Sequence, residues 1–558
     1  MASTRSYHAQ ERPVKPHRGS SMQPDHIMLS FSDDPHTTAT VTWRTCVDAP
    51  DSALLIWEQE NGQPQRVPAR TREFRSDIDI SRMHWATARG LRPGMRYTYA
   101  VESGGIQTGP FSFQTEEENC RRFQFLIIAD PQTEEPFGAP DYAEMRRVLI
   151  AALKAHPNCR FLLTLGDNVD NGMNELQWNG FFHGLQGICE SLPLMMATGN
   201  HDNRGFKAYF PEMSGKFYLD HADFFDAQFE GSYPPNGPPG FQTENYSFDY
   251  GNVHFLIMGV NEQPQWSSWA YEDLRQSDQE WKLGFYHYPV FPVMPEGENL
   301  DTYPHLQRAI EEGRADIMFA GHEHSLARSF PIRNFELFDR PSEGTVHFLL
   351  GGGADNGCTY NASKLWYDKF NPHGERQSMY AVAEVDGPVL TVTAYWEDGR
   401  PCDRFTIDKA RDQIDPPSTA PIYKETRMAF KGALLELTAR NLYPMQKDGV
   451  WYAPFAQVIQ FIGGTVEKRP GSVLLGAYGH RATFYEGERR VDTPAGTQQM
   501  EHAAFLEREQ LYLPVADSAR LFGMTWHYSA RNNIIDWEYP AEKASVAPQP
   551  PKKGGSDK

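Results

Sequence analysis

Three unlike patterns follow one another along this chain, and together they predict a multidomain protein: a β-sandwich, then an α/β domain of mixed sheets flanked by helices, then a small α+β domain. Between residues 26 and 115, short alternating apolar runs are separated by turn residues, as in a sandwich. Between residues 125 and 324, five continuous apolar runs each end in a cluster of Asp, Asn, Gln or His, the signature of strands buried on both faces. Beyond residue 451, a strand-helix-strand pattern returns sixty residues later. At 558 residues the chain exceeds what one core accommodates, and 40% apolar with 13% aromatic residues supplies several.

Residues 1–22 are polar and basic with Pro and Ser, and they predict a disordered tail, as do the Pro-, Lys- and Gly-rich residues 542–558. The sandwich is assigned to 23–116, with strands at 26–31, 38–43 and 53–57. The stretch from Gly90 to Val101 resembles the corner and strand of fibronectin type III sandwiches, where a Tyr caps the turn, and 111–115 is its last strand.

The α/β domain is assigned to 117–411. Its clusters are Asp130-Pro131-Gln132, Gly166-Asp167-Asn168-Val169-Asp170, Gly199-Asn200-His201-Asp202, Tyr286-His287 and Gly321-His322-Glu323-His324. Between the first two, 141–156 reads as a helix, with Met145, Val148, Leu149, Ala152 and Leu153 at helical spacing. Strand, helix, strand implies a parallel core, whose carboxyl strand ends are where ligands gather. Asp, Asn and His suit hard or borderline cations such as Zn, Mn or Fe, and no cluster offers a thiolate. One carboxylate can bridge two cations about 3.5–4 Å apart, which then clamp both oxygens of a phosphoryl displacement.

The ordered set resembles the calcineurin-like metallophosphoesterases, whose pattern is Asp-x-His, Gly-Asp-x-x-Asp, Gly-Asn-His-Asp, a solitary His and Gly-His-x-His. The departure is Gln132, which stands where the family has His and offers a neutral carbonyl oxygen. A sandwich ahead of this domain is similar to the layout of purple acid phosphatases. Residues 245–255 resemble that group's central hairpin, and 380–385 with 405–407 its closing strands. The Tyr behind that group's colour is replaced by Asp170, so the resemblance implies a colourless relative and no ferric first site.

The resemblance implies two divalent or trivalent metal ions (Fe, Mn or Zn). Asp167 bridges them; Asp130, His324 and, at even choice with a structural amide, Gln132 complete the first, and Asn200, His287 and His322 the second. It makes His201 the group that meets the leaving oxygen, with Asp202 orienting its ring, and puts Asp170 behind the ligands. The implied reaction is hydrolysis of a small phosphomonoester by a metal-bridging hydroxide, with a phosphodiesterase as the near alternative. A degenerate, surface-associated binding protein is the reading from another class, and Gln132 is what favours it. His183, His254 and His305 lie outside the clusters and read as structural; Trp178, Phe181 and Phe182 fit a cleft wall or core.

Residues 412–424 read as a Pro-rich linker. The repeat lies in 425–541, and each copy is strand, Pro-started helix, Gly stop and strand. It resembles the N-terminal stalk-like domain of some copper amine oxidases and modules on secreted bacterial proteins, which implies an accessory role and possible contact with a cell envelope.

A net charge of −20 with no basic stripe argues against nucleic acid as a partner. No run reaches eighteen apolar residues, so no membrane-spanning helix is expected. The first residues lack the apolar segment of a secretory signal, leaving a cytoplasmic protein or a processed leader as the two expectations. Six scattered cysteines without a Cys-x-x-Cys pair read as incidental thiols.

Overall fold

A computed structural model describes residues 19–59, 62–133, 139–203, 222–260, 263–293, 306, 308–334, 336–352, 366–371, 378–417, 423, 425–435 and 442–539. His305 and Cys358 fall outside them, as do the expected tails except for residues 19–22. Those four are not a free tail: the Ser20 amide and hydroxyl both donate to Asp79 Oδ2, at 2.6 and 2.7 Å.

Turn-bounded alternation produces eight strands: β1 (Asp25–Ser30), β2 (Thr38–Cys46), β3 (Ser52–Glu58), β4 (Gln65–Pro68), β5 (Arg70–Arg75), β6 (Ile80–Arg89), β7 (Arg96–Ser103) and β8 (Ile106–Gln114). They form two sheets, ordered β1-β2-β6-β5 and β4-β3-β7-β8, around a core that includes Val41, Trp43, Leu54, Tyr99 and Phe113. The Tyr97 hydroxyl accepts from the Arg92 amide at 2.9 Å and pins the corner before β7.

The apolar runs that follow build two mixed sheets. The first takes β9 (Arg122–Ile128), β10 (Cys159–Thr164) and β11 (Leu194–Met196) in parallel. The second is built on β12 (Tyr246–Tyr250), β13 (Val253–Met258), β14 (Trp281–Tyr286), β15 (Ile317–Ala320), β16 (Leu326–Arg333), β17 (Glu336–Leu337) and β18 (Thr345–Leu349), with β19 (Tyr367–Asn371) pairing β16. The chain then returns to the first sheet through β20 (Met379–Asp386), β21 (Val389–Trp396), β22 (Pro401–Asp408) and β23 (Gln413–Asp415), giving the order β11-β10-β9-β20-β21-β22-β23. Residues 413–415 were expected in the linker. They instead form an edge strand, because Ile414 pairs with Ile407 before Pro416 and Pro417 stop the ladder.

Phe125 and Phe161 from the first sheet meet Phe255 and Phe285 from the second, with ring centroids 5.2 to 6.4 Å apart, so one aromatic layer joins the sheets. Helix α1 (Ala143–Ala155) follows β9 and buries Met145, Val148, Leu149, Ala152 and Leu153, the expected stripe. Helix α2 (Glu175–Leu185) follows β10 and buries Trp178, Phe181 and Phe182 among other rings, so these three are core.

The sandwich and the α/β domain belong to one compact unit. Arg44 of β2, fully buried, pairs with Asp25 at 2.7 Å and with the buried Glu175 in the first turn of α2. His26 stacks on Phe182 at 4.3 Å, with its ring nitrogens against Gln228 and Asn179.

The second unit contains the repeat. Its two copies are Val450–Ala453, helix Ala456–Phe461 and Thr465–Arg469, then Gln510–Pro514, helix Val515–Leu521 and Thr525–Ser529. Among the described residues, no helix is long and apolar enough to cross a membrane.

Candidate metal centre

Every cluster singled out in the sequence sits just past the carboxyl end of a parallel strand: Asp130 after β9, Asp167 after β10, Asn200 after β11, His287 after β14, His322 and His324 after β15. The turns are sharp. Asp130, Asp167, His322 and His324 all take positive φ, of 49, 49, 73 and 23°, a conformation costly for side-chain-bearing residues and found where a site over-determines the backbone. Gly166 and Gly199 let two of these loops touch. A Cβ on Gly199 would lie 2.2 Å from Asp167 Oδ1, and one on Gly166 would lie 2.7 Å from both Gly199 N and His287 Nδ1.

Asp167 is the hub. Its Oδ1 accepts the His201 amide at 2.7 Å, while Oδ2 faces His287 Nε2 at 3.2 Å, Gln132 at 3.4 Å and His201 Nε2 at 3.8 Å. His287 Nε2 is also 3.0 Å from Asn200 Oδ1. The other ring nitrogen of His287 donates to Leu165 O at 2.9 Å, which fixes the tautomer and turns Nε2 toward the carboxylate. The ligand-type atoms of Asp167, His287 and His322 all lie within 4.8 Å of one another. Asp130 forms the second grouping: its oxygens accept the His322 amide at 2.9 and 3.0 Å, and Oδ1 lies 3.5 Å from His324 Nε2.

Charges are compressed here. Burial opposes ionisation of Asp167, yet His287 and His201 hold it well below the usual carboxylate range. Burial lowers His287 too, but Asp167 outweighs it and lifts the ring to about 9; burial, then the charge on His287, pushes His322 down to about 3. Two buried carboxylates facing imidazole nitrogens and amide oxygens are a donor set that suits borderline or hard cations.

Asp202 does not orient His201. Its carboxylate accepts from the backbone of Gly199 at 2.8 Å, Asn168 at 3.0 Å and Val169 at 3.1 Å, and from Asn168 Nδ2 at 2.9 Å, stapling two loops from below. Consecutive helical side chains diverge, and Asn200–Asn203 is a short helix, so Asp202 turns inward as His201 turns out. Asp170 takes the ring instead: His201 Nδ1 lies 2.9 Å from its carbonyl oxygen and 3.2 Å from Oδ1. Both neighbours are acceptors, so Nδ1 carries the proton and Nε2 faces Asp167. Sequence reasoning also passed over Glu323, buried between two His of the last cluster, which accepts the Val293 amide and ties down the loop after His287.

Residues 123–326 match the calcineurin-like phosphoesterase family, and residues 24–115 match the purple acid phosphatase N-terminal domain. The chain thus carries matches to two domains, in the order they take in the purple acid phosphatase family. That family works with a dinuclear metal centre. The chain resembles "Probable inactive purple acid phosphatase 27" of Arabidopsis thaliana, at 22% identity over 386 residues, 60% of this chain and 61% of that one. It is 24% identical over 370 residues to acid phosphatase type 7 of Mus musculus, covering 60% of this chain and 78% of that protein. The chain thus spans about three fifths of the length of two Arabidopsis relatives named as inactive. Among solved structures, purple acid phosphatase PPD1 from yellow lupin seeds aligns over 70% of this chain and 75% of its own, with TM-score 0.57 and 19% identity, a likeness of fold.

Proposed function

We propose that the chain is a metal-dependent phosphoesterase acting on phosphomonoesters, with phosphodiesters as the alternative substrate of the same site. The observation that carries this reading is Asp167, whose Oδ2 faces Gln132 on one side and His287 on the other, the place of a carboxylate shared by two cations. Asp130, Gln132 and His324 would hold one ion with it, and Asn200, His287 and His322 the other. When bound, such a pair of ions lowers the pKa of a water and neutralises charge on a phosphoryl group.

The chain's own residues supply the rest. Asp170 accepts from Nδ1 of His201 and so turns Nε2 outward, where an Nε2–H would donate to the leaving oxygen. Asp202 holds the loops that carry Asp167 and Asn200 in register. The C-terminal unit is proposed as an accessory module.

The test is metal content by elemental analysis on protein purified without chelator, followed by hydrolysis of a chromogenic phosphomonoester. Two equivalents of metal and turnover, both lost in Asp167→Asn, support the reading. A metal-free protein that stays inactive after reconstitution would support the degenerate binding protein instead, in line with relatives whose names include the word inactive.

A further inference from the structure

Gln132 is where the chain leaves the Asp-x-His of the calcineurin-like pattern, and its amide has a defined orientation. With Nε2 donating to the carbonyl oxygens of Asp130 at 3.0 Å and Asp167 at 2.9 Å, both donors are used. Turned the other way, Oε1 would sit against those same two carbonyl oxygens with no proton between them. The remaining amide position, 3.4 Å from Asp167 Oδ2 and 3.5 Å from His324 Nε2, is therefore occupied by Oε1. A neutral oxygen is pinned by the backbone of two proposed ligands and aimed at the gap among Asp130, Asp167 and His324.

Resting on the dinuclear reading above, we propose that Gln132 ligates through Oε1 and makes the first site a hard-cation site that loads and empties independently of the second. The donor sets follow directly. The Gln132 site offers three oxygens and one nitrogen, which favours Mn or Mg; the site of Asn200, His287 and His322 offers two of each, which favours Zn or Fe. An imidazole at 132 would have made the two sites chemically alike. The two sites thus differ in donor hardness, with the Gln132 site the harder of the two.

The experiment uses the full chain, stripped with chelator and titrated with Zn alone or Mn alone. Binding is followed by calorimetry, metal-to-protein ratio after gel filtration, and the Mn electron paramagnetic resonance signal. In the wild type, one Zn should survive filtration, and the second should bind at least about tenfold more weakly than in Gln132→His, the scale on which a changed ligand environment moves metal affinity. Zn-loaded wild type should accept Mn at the weak site, and Gln132→Leu should keep the first equivalent while losing the second. The retained first equivalent doubles as the check that the variant folds. An unchanged second equivalent in Gln132→Leu, or equal affinity for the second Zn in wild type and Gln132→His, would overturn the proposal. If no form of the protein holds any metal, the dinuclear reading itself falls and takes this one with it.

Discussion

His201 Nδ1 lies 2.9 Å from the carbonyl oxygen of Asp170 and 3.2 Å from its carboxylate, so the ring is steered by the last residue of the second cluster and not by its own chain neighbour Asp202. Replacing Asp170 by Ala leaves the carbonyl in place and removes the carboxylate. Turnover of a phosphomonoester should fall on the order of ten- to a hundredfold with metal content unchanged, since a misplaced catalytic group costs about that much. Loss of metal along with turnover would instead make Asp170 part of the ligand set.

Asp202→Asn should behave differently. Its carboxylate serves only donors, and an amide nitrogen would face at least one of them, so the loops lose their staple. Denaturant unfolding should show a loss of roughly 2–3 kcal/mol, the range for buried hydrogen bonds to a charged group.

Arg44→Met should leave Glu175 as a buried acid without its cation, between the sandwich and α2. Breaking one side of a buried pair costs about 3–5 kcal/mol, and removing both sides is far milder. The double variant Arg44→Met with Glu175→Gln should therefore recover much of the lost thermal stability, a non-additivity read from the four melting curves.

His254 gives the fold a pH dependence of its own. It bridges Asp249 and Asp273, each at 2.7 Å; burial lowers its pKa, but the two carboxylates outweigh that and raise it to about 9 from 6.5. A raised histidine stabilises fully below its unfolded value and loses that contribution as pH climbs through the folded one. Stability should fall by about 2 kcal/mol between pH 6.5 and 9, allowing for the half-exposed Asp249. His254→Gln should flatten that slope in melting curves taken across the range.

Much of the site was readable because ligand-type residues closed apolar runs, and strand ends of a parallel sheet converge in space. Asp130, Asp167, Asn200, His287, His322 and His324 stood out as strand-end residues, and the resemblance supplied their grouping as ligands. The partner of His201 was not readable: adjacency along the chain suggested Asp202, whereas the geometry of a four-residue helix decided for Asp170. The orientation of Gln132 depended on two carbonyls whose positions only the folded loops define. Ile414 was misread as linker because three residues give no periodicity; its place comes from β22 beside it.

The sheet that carries the first three loops is closed by a late arrival: Ile127 of β9 pairs with Leu163 on one side and with Ala381 on the other. A ribosome adding roughly 5–20 residues per second needs on the order of ten to fifty seconds to make the intervening chain. Throughout that interval one edge of β9 has no native partner, and for part of it Asp130 and Asp167 have been made while His287, His322 and His324 have not. The nascent protein passes through a sticky, acid-rich half-structure, and its yield in a cell will be governed by what shields that edge until β20 emerges.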